Sequence, residues 1–280
     1  MHLEELIKEA LKEDRAFEDI TSLLFLPAER ALEAVIVARQ AGVLAGLRIA
    51  RRAFLTIDNN IRVEGKKRDG ESFEADETIA HISGNARSIL AAERTALNFL
   101  GHLSGIATFT SRLVSKIEGT GVILLDTRKT TPLLRALEKE AVRFGGGENH
   151  RMSLAEAVIL KDNHIRALGG IEETARRIKK LREQNPGLFI EVEVAGLDEL
   201  RVALGAEPSR IMLDNFSPDD AREAVRLREK LGKEHIPFEL SGGINETNIA
   251  EYALCGCEYI SVGALTHSAP SISFSLEAVV

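Results

Sequence analysis

Apolar positions Leu3, Leu6, Ile7, Ala10 and Leu11 recur at helical spacing and predict an amphipathic helix over about 3–12. Runs of alternating or β-branched residues follow at 32–39 and 61–65, and the turn signal RDG stands at 68–70. Two helical patterns, 88–105 and 107–119, close this half, the first with a long apolar face. It reads as a sheet covered by helices.

From about residue 121 the rhythm changes. GVILL precedes a helical pattern at 132–144, AVIL (157–160) one at 171–184, and LFIEVEVA (188–195) one at 198–204. RIML (210–213) is followed by 218–231, PFELS (237–241) by 247–254, and YISV (259–262) comes last. Strict alternation of this kind predicts parallel strands joined by right-handed crossovers. A doubly wound sheet and a barrel both satisfy it. An eight-stranded barrel needs about 250 residues. With six strands in far fewer, the second half reads as an abbreviated α/β barrel. SISFSLEAV at the end has strand character and is expected to return to the first half.

Composition narrows the function classes. The chain has 280 residues, 28% of them charged, with a net charge of −7, which argues against a general nucleic-acid binder. No apolar run approaches a membrane span, and the N-terminal segment is an acidic helix rather than a signal peptide, so a cytoplasmic protein is expected. Cys255 and Cys257, one residue apart, suit neither a zinc ribbon nor a CxxC redox pair and read as reduced thiols.

In an α/β barrel, chemistry collects beyond the carboxyl ends of the strands. Those exits carry Asp126-Thr127-Arg128-Lys129, Lys161 to His164, Glu193, Asp214-Asn215, Ser241-Gly242-Gly243 and Gly263. One polar exit is unremarkable; six form a site. SGGI (241–244) and VGA (262–264) place glycines after two successive strands, where backbone N–H groups and a following helix N-terminus can cradle a phosphate. Arg128, Lys129, His150, Arg151 and Lys161 fall within one βαβ unit, and such a cluster calls for an anion of several charges. Glu193 and Asp214 suit a Mg²⁺ ion or sugar hydroxyls, or pair with the same basic residues. His150 reads as a hydrogen-bonding residue, and His164 as either a cap or a site residue. Thr130 and Thr131 are expected to cap a helix opened by Pro132. A phosphoribosyl donor with an acidic acceptor satisfies the whole set.

The stretches LAAERTALNFLGHLSGIAT, LLDTRKTTPLLRALEKEAVRFGGGENHR, VILKDNH, IEVEV, IMLDN, SGGI and ISVGALTHSAP resemble the quinolinate phosphoribosyltransferases, in order and over nearly the whole chain. The resemblance implies an N-terminal α/β sandwich over 1–110, an incomplete α/β barrel of about six strands over 111–268 that carries the active site, and a return of 269–280 to the first domain. It also implies Mg²⁺ dependence, a homodimer or larger homo-oligomer, and conversion of quinolinate and phosphoribosyl pyrophosphate to nicotinate mononucleotide, pyrophosphate and CO₂. By matching position, quinolinate falls to Thr127, Arg128, His150, Arg151 and Lys161, with Arg94 reaching the pocket from a partner subunit. Lys129, Lys161, Glu193 and Asp214 are the expected catalytic residues and meet the donor. Glu193 and Asp214 also serve the metal, and Ser241, Gly242, Gly243, Gly263, Ala264 and His267 hold the 5′-phosphate. Leu133, Glu140 and Leu240 stand where the family usually has Gly, Tyr and Ala. The competing readings are a related enzyme for nicotinate or another aromatic acid, a phosphosugar isomerase or aldolase barrel, and a non-catalytic sensor of phosphoribosyl pyrophosphate.

Overall fold

The computed structural model describes residues 3–279. They form two compact units, one of 3–111, 131–146 and 268–279, the other of 112–130 and 147–267. Segment 131–146, which alternation alone assigns to the barrel, thus clusters with the first unit.

The first unit opens with α1 (Leu3–Glu13), which buries Ile7 and Leu11, and α2 (Ile20–Phe25), capped by the Asp19 carboxylate. Strands β1 (Ala31–Ala38) and β2 (Gly42–Val43) lead to α3 (Leu47–Ile57), then β3 (Arg62–Gly65), β4 (Ser72–Phe73) and β5 (Thr78–Asn85). The main sheet is antiparallel, and its order is β12-β1-β5-β3, with β12 (Phe274–Ala278) pairing against β1.

A single helix, α4 (Ala86–Lys116), replaces the two helices expected around Ser104-Gly105. The small residues there serve packing instead of a break. Ser104 Oγ donates to Ala45 O and accepts from Ala45 N, both at 3.1 Å, and a Cβ on Gly105 would lie 2.3 Å from Pro270 O. The helix runs on through them, even though Gly101 O also accepts from the Ile272 amide at 3.0 Å.

The second unit is built on six parallel strands: β6 (Ile123–Leu125), β7 (Val158–Leu160), β8 (Ile190–Val194), β9 (Arg210–Asp214), β10 (Phe238–Ser241) and β11 (Tyr259–Ser261). Their order is β6-β11-β10-β9-β8-β7, so β6 and β7 are the two edge strands and do not pair with each other. Helix α5 (Arg135–Phe144) follows β6 in sequence and belongs to the first unit. The other connections are α6 (Asp162–Leu168), α7 (Ile171–Gln184), α8 (Leu197–Ala206), α9 (Pro218–Lys230), α10 (Ile249–Ala253) and α11 (Ala264–His267).

The Thr-Thr-Pro cap is not observed. Helix α5 begins at Arg135 without a side-chain cap, Leu133 lies at φ +70°, and the Thr131 amide donates to Glu138 Oε2 at 3.0 Å. A left-handed residue cannot continue a helix from Pro132, so the segment turns first. Cys255 and Cys257 are free, buried, and lie between α10 and β11. Among the described residues, no helix is long and apolar enough to cross a membrane.

Candidate active site

All six strand exits of the second unit line one cleft of about 850 Å³. Thr127, Arg128, Lys129, His150, Arg151, Lys161, Glu193, Asp214, Ser241, Gly242, Gly243, Gly263, Ala264 and His267 all face it. Arg94 belongs to the first unit, exposed on α4. Residues that the exit reading does not assign also line the cleft, among them Met212, Asn245, Ser261 and Glu239.

The basic wall depends on how the chain returns after α5. Glu148 forms a parallel bridge with Leu125: its N–H donates to Leu124 O at 2.8 Å, and it accepts from the Asp126 amide at 3.1 Å. That added strand-like contact sets His150 and Arg151 beside the exit of β6. The buried Asp126 carboxylate then accepts from the His150 amide at 2.9 Å. Arg151 Nη1 donates to Ala157 O at 2.7 Å. Burial and the nearby Arg128 both lower the Arg151 guanidinium from its usual value, and Glu191 partly offsets them. Two guanidinium groups that repel each other in one cleft are stabilised when an anion sits between them.

His150, expected as a carboxylate ligand, lines the cleft and also meets buried groups of the protein. Its Nε2 lies 3.1 Å from Glu191 Oε2 and 3.3 Å from Glu239 Oε2, and its Nδ1 accepts from the Arg151 amide at 2.8 Å. Burial opposes charge on the ring, and the hydrogen bonds to Glu191 and Glu239 outweigh it, pushing the imidazole up to about 9. The Arg151 amide works the other way, because an N–H aimed at Nδ1 needs a lone pair there. In the neutral ring that contact places the proton on Nε2. Burial, then the Glu239 charge, raises the Glu191 carboxyl; burial also pushes up that of Glu239, but His150, Ser261 and Arg210 outweigh it and hold it below its usual range. These three residues are the one grouping among those described with metal-ligand spacing, their ligating atoms within 4.8 Å. Arg210 Nη1 already occupies Glu239 Oε2 at 2.8 Å, so the cluster is charge-compensated from the protein itself.

Across the cleft, Lys161 Nζ donates to Glu193 Oε2 at 2.6 Å. Burial and the charge of Glu193 raise the Asp214 carboxyl, and Asn215, Lys161 and Lys129 pull against them. Asn215 Nδ2 donates to Asp214 Oδ2 at 2.7 Å. A pair of hard carboxylate oxygens that repel each other fits Mg²⁺ or the hydroxyls of a ribose. His164 is a cap: its Nδ1 accepts from the Lys161 amide at 3.1 Å.

The glycines supply the last wall. Gly242 and Gly243 lie at φ +93° and +66°, and a Cβ on Gly242 would fall 2.2 Å from Asn215 Oδ1. Gly263 has Lys129 Cδ and His267 Nε2 at 3.0 and 3.2 Å from its own virtual Cβ, and Thr266 Oγ1 donates to Lys129 O at 2.8 Å. The following helices, α10 and α11, have only five and four residues, so the cradle rests on loop amides more than on a helix dipole.

An open parallel barrel with a glycine cradle, a carboxylate pair and a dibasic wall in one cleft defines an enzyme that joins a phosphorylated sugar to an acidic partner. The family models for the N- and C-terminal domains of quinolinate phosphoribosyl transferase match residues 19–104 and 106–277, and the chain belongs to that family. It is 39% identical to the nicotinate-nucleotide pyrophosphorylase (carboxylating) of Mycobacterium leprae over 97% of this chain and 95% of that one. The solved structure of the nicotinate-nucleotide pyrophosphorylase from Francisella tularensis superposes with a TM-score of 0.91 at 39% identity, covering 99% of this chain and 96% of that one. That of Ehrlichia chaffeensis gives 0.92 at 33%, covering 100% and 99%.

Proposed function

We infer that the protein is a carboxylating nicotinate-nucleotide pyrophosphorylase. It transfers the phosphoribosyl group of phosphoribosyl pyrophosphate to quinolinate, and releases pyrophosphate and CO₂ to leave nicotinate mononucleotide. The observation that carries this reading is the convergence of Arg128 and Arg151 on the cleft that also holds the glycine cradle and the Glu193–Asp214 pair. One carboxylate needs one fork; a dicarboxylate uses two.

In this reading Arg128 and Arg151 pair with the two acceptor carboxylates, with Thr127 and Lys161 beside them. Ser241, Gly242, Gly243, Gly263, Ala264 and His267 receive the 5′-phosphate. The ring nitrogen forms its bond to ribose C1 as the bond from C1 to pyrophosphate breaks. Glu193 and Asp214 face the sugar as positive charge develops, and Lys129 and Lys161 face the departing pyrophosphate; all four act by electrostatic placement. The adjacent carboxylate then leaves as CO₂, its electron pair drawn toward the new pyridinium, and a solvent proton takes its place. Mg²⁺ fits the oxygen pair of Glu193 and Asp214 and would supply further neutralisation of the pyrophosphate. The enzyme works as a homo-oligomer in the cytoplasm, with Arg94 crossing into the neighbouring subunit's acceptor site.

The test is an assay with Mg²⁺ and phosphoribosyl pyrophosphate against quinolinate or nicotinate. Nicotinate mononucleotide and CO₂ from quinolinate alone is the expected result. Product from nicotinate alone would overturn the acceptor assignment and leave the donor site intact.

A further inference from the structure

Barrel interiors are normally filled with branched apolar side chains. Beneath this cleft, β8, β9 and β10 instead carry Glu191, Arg210 and Glu239. Both carboxylates are 0% exposed, and the Arg210 guanidinium lies 3.8 Å from the Tyr259 ring centroid while bonded to Glu239. Burying two carboxylates side by side is costly, and apolar residues of similar volume would serve stability as well or better. The catalytic reading above does not use them.

Glu239 reaches the cleft floor beside Ser261, and both carboxylates meet His150. Its Nε2 lies between Glu191 and Glu239, its Nδ1 accepts from the Arg151 amide, and its own amide donates to Asp126. Nδ1 is thus committed within the protein, and Nε2 is drawn toward two buried carboxylates. What the ring fixes is the main chain that bears Arg151.

We propose that Glu191 and Glu239 are positioning residues for the acceptor subsite: through the imidazole of His150 they hold the main chain at Arg151, and so aim its guanidinium at the substrate. The inference rests on the assignment of Arg151 to the acceptor. It makes His150 a link, and it explains why a largely buried polar chain runs from the inside of the barrel to the basic wall. Glu239 also balances Arg210, so Glu191 is the member whose removal tests the link without stranding a buried guanidinium.

The experiment compares full-length wild type, Glu191→Leu and Glu191→Gln. Leucine removes the acceptor for Nε2–H at nearly constant volume; glutamine keeps a carbonyl there. Misplacing a binding group by about 1 Å costs up to about a hundredfold, so Glu191→Leu is expected to raise the quinolinate KM about tenfold or more. Binding of phosphoribosyl pyrophosphate with Mg²⁺, measured by calorimetry, should stay within about twofold, since the cradle is built on other loops. Glu191→Gln should recover most of the quinolinate KM. In ¹⁵N-labelled protein without substrate, Glu191→Leu should disturb both the Nε2–H tautomer signature of His150 and the Arg151 amide resonance. An unchanged quinolinate KM, or an unmoved Arg151 amide, would overturn the proposal. Equal losses for both substrates with a lowered Tm would also overturn it, by reducing Glu191 to a structural role. Wild type that turns over no quinolinate would refute the function instead; the Arg151 amide then decides the link by itself.

Discussion

Leu133 holds φ at +70° with its side chain 74% exposed, so it takes on left-handed strain and gains little burial in return. For an L-residue that conformation brings Cβ against the following carbonyl and costs roughly 1–2 kcal/mol. Glycine escapes the clash but loses more chain entropy on folding. The balance favours glycine. Leu133→Gly is expected to raise stability by about 0.5–1 kcal/mol, read as a higher Tm and urea midpoint with an unchanged m-value. A fall in midpoint would show that the Leu133 side chain makes a contact worth more than the strain.

At the scale of elements, the same residue type can be stabilising or required, depending on what faces it. Gly105 sits inside α4, and a Cβ there would meet Pro270 O at 2.3 Å and Pro270 C at 3.0 Å, both backbone. Gly205 sits inside α8 with nothing within 4 Å. Alanine gains about 1 kcal/mol over glycine in a helix, so Gly205→Ala should stabilise by up to that amount. Gly105→Ala should destabilise by a net of about 1–2 kcal/mol, because an overpacked contact against backbone costs about 1–3 kcal/mol. Thermal melts of the two variants should move in opposite directions. This is also where the sequence stops being readable. Ser-Gly at 104–105 looks like a helix break, and only the chain of 270–272 lying against it shows why small residues are needed. The strand pattern is legible in period but not in sense. In IEVEV both glutamates share one face, and alternation usually sends that face to solvent. In the open barrel it points inward, so Glu193 reaches the cleft and Glu191 is sealed beneath it. The exits of all six strands could be read because each apolar run ends on a polar or glycine residue. The buried Glu191–Arg210–Glu239 network could not, since its members are separated in sequence and meet only through the register of β8, β9 and β10.

For the molecule as a whole, the net charge of −7 and the basic cleft pull in opposite directions, and the site needs every cation it can recruit. Arg94 is carried on α4 in the first unit, exposed, while Arg128 lines the cleft of the second. The first unit also exposes Phe17, Ile20, Leu24 and Phe25, at 58%, 71%, 77% and 81%. An apolar group of that size suits burial against another chain, consistent with a site completed between subunits. The consequence is testable by mixing. Arg128→Ala leaves an acceptor carboxylate without its charged hydrogen bonds, worth about 1.5–3 kcal/mol each, so kcat/KM should fall roughly ten- to several-hundredfold. Arg94→Ala should be similarly impaired. If each site takes Arg128 from one subunit and Arg94 from its neighbour, a mixed dimer holds one site with both arginines and one with neither. Random exchange between the two inactive proteins in a two-fold dimer would restore about a quarter of wild-type activity. Activity that stays at the level of the parents after exchange, with mixed species confirmed by native mass spectrometry, would place both arginines in the same subunit's site. Recovery on mixing would instead make association a condition for binding the acceptor, so activity should fall on dilution in step with dissociation.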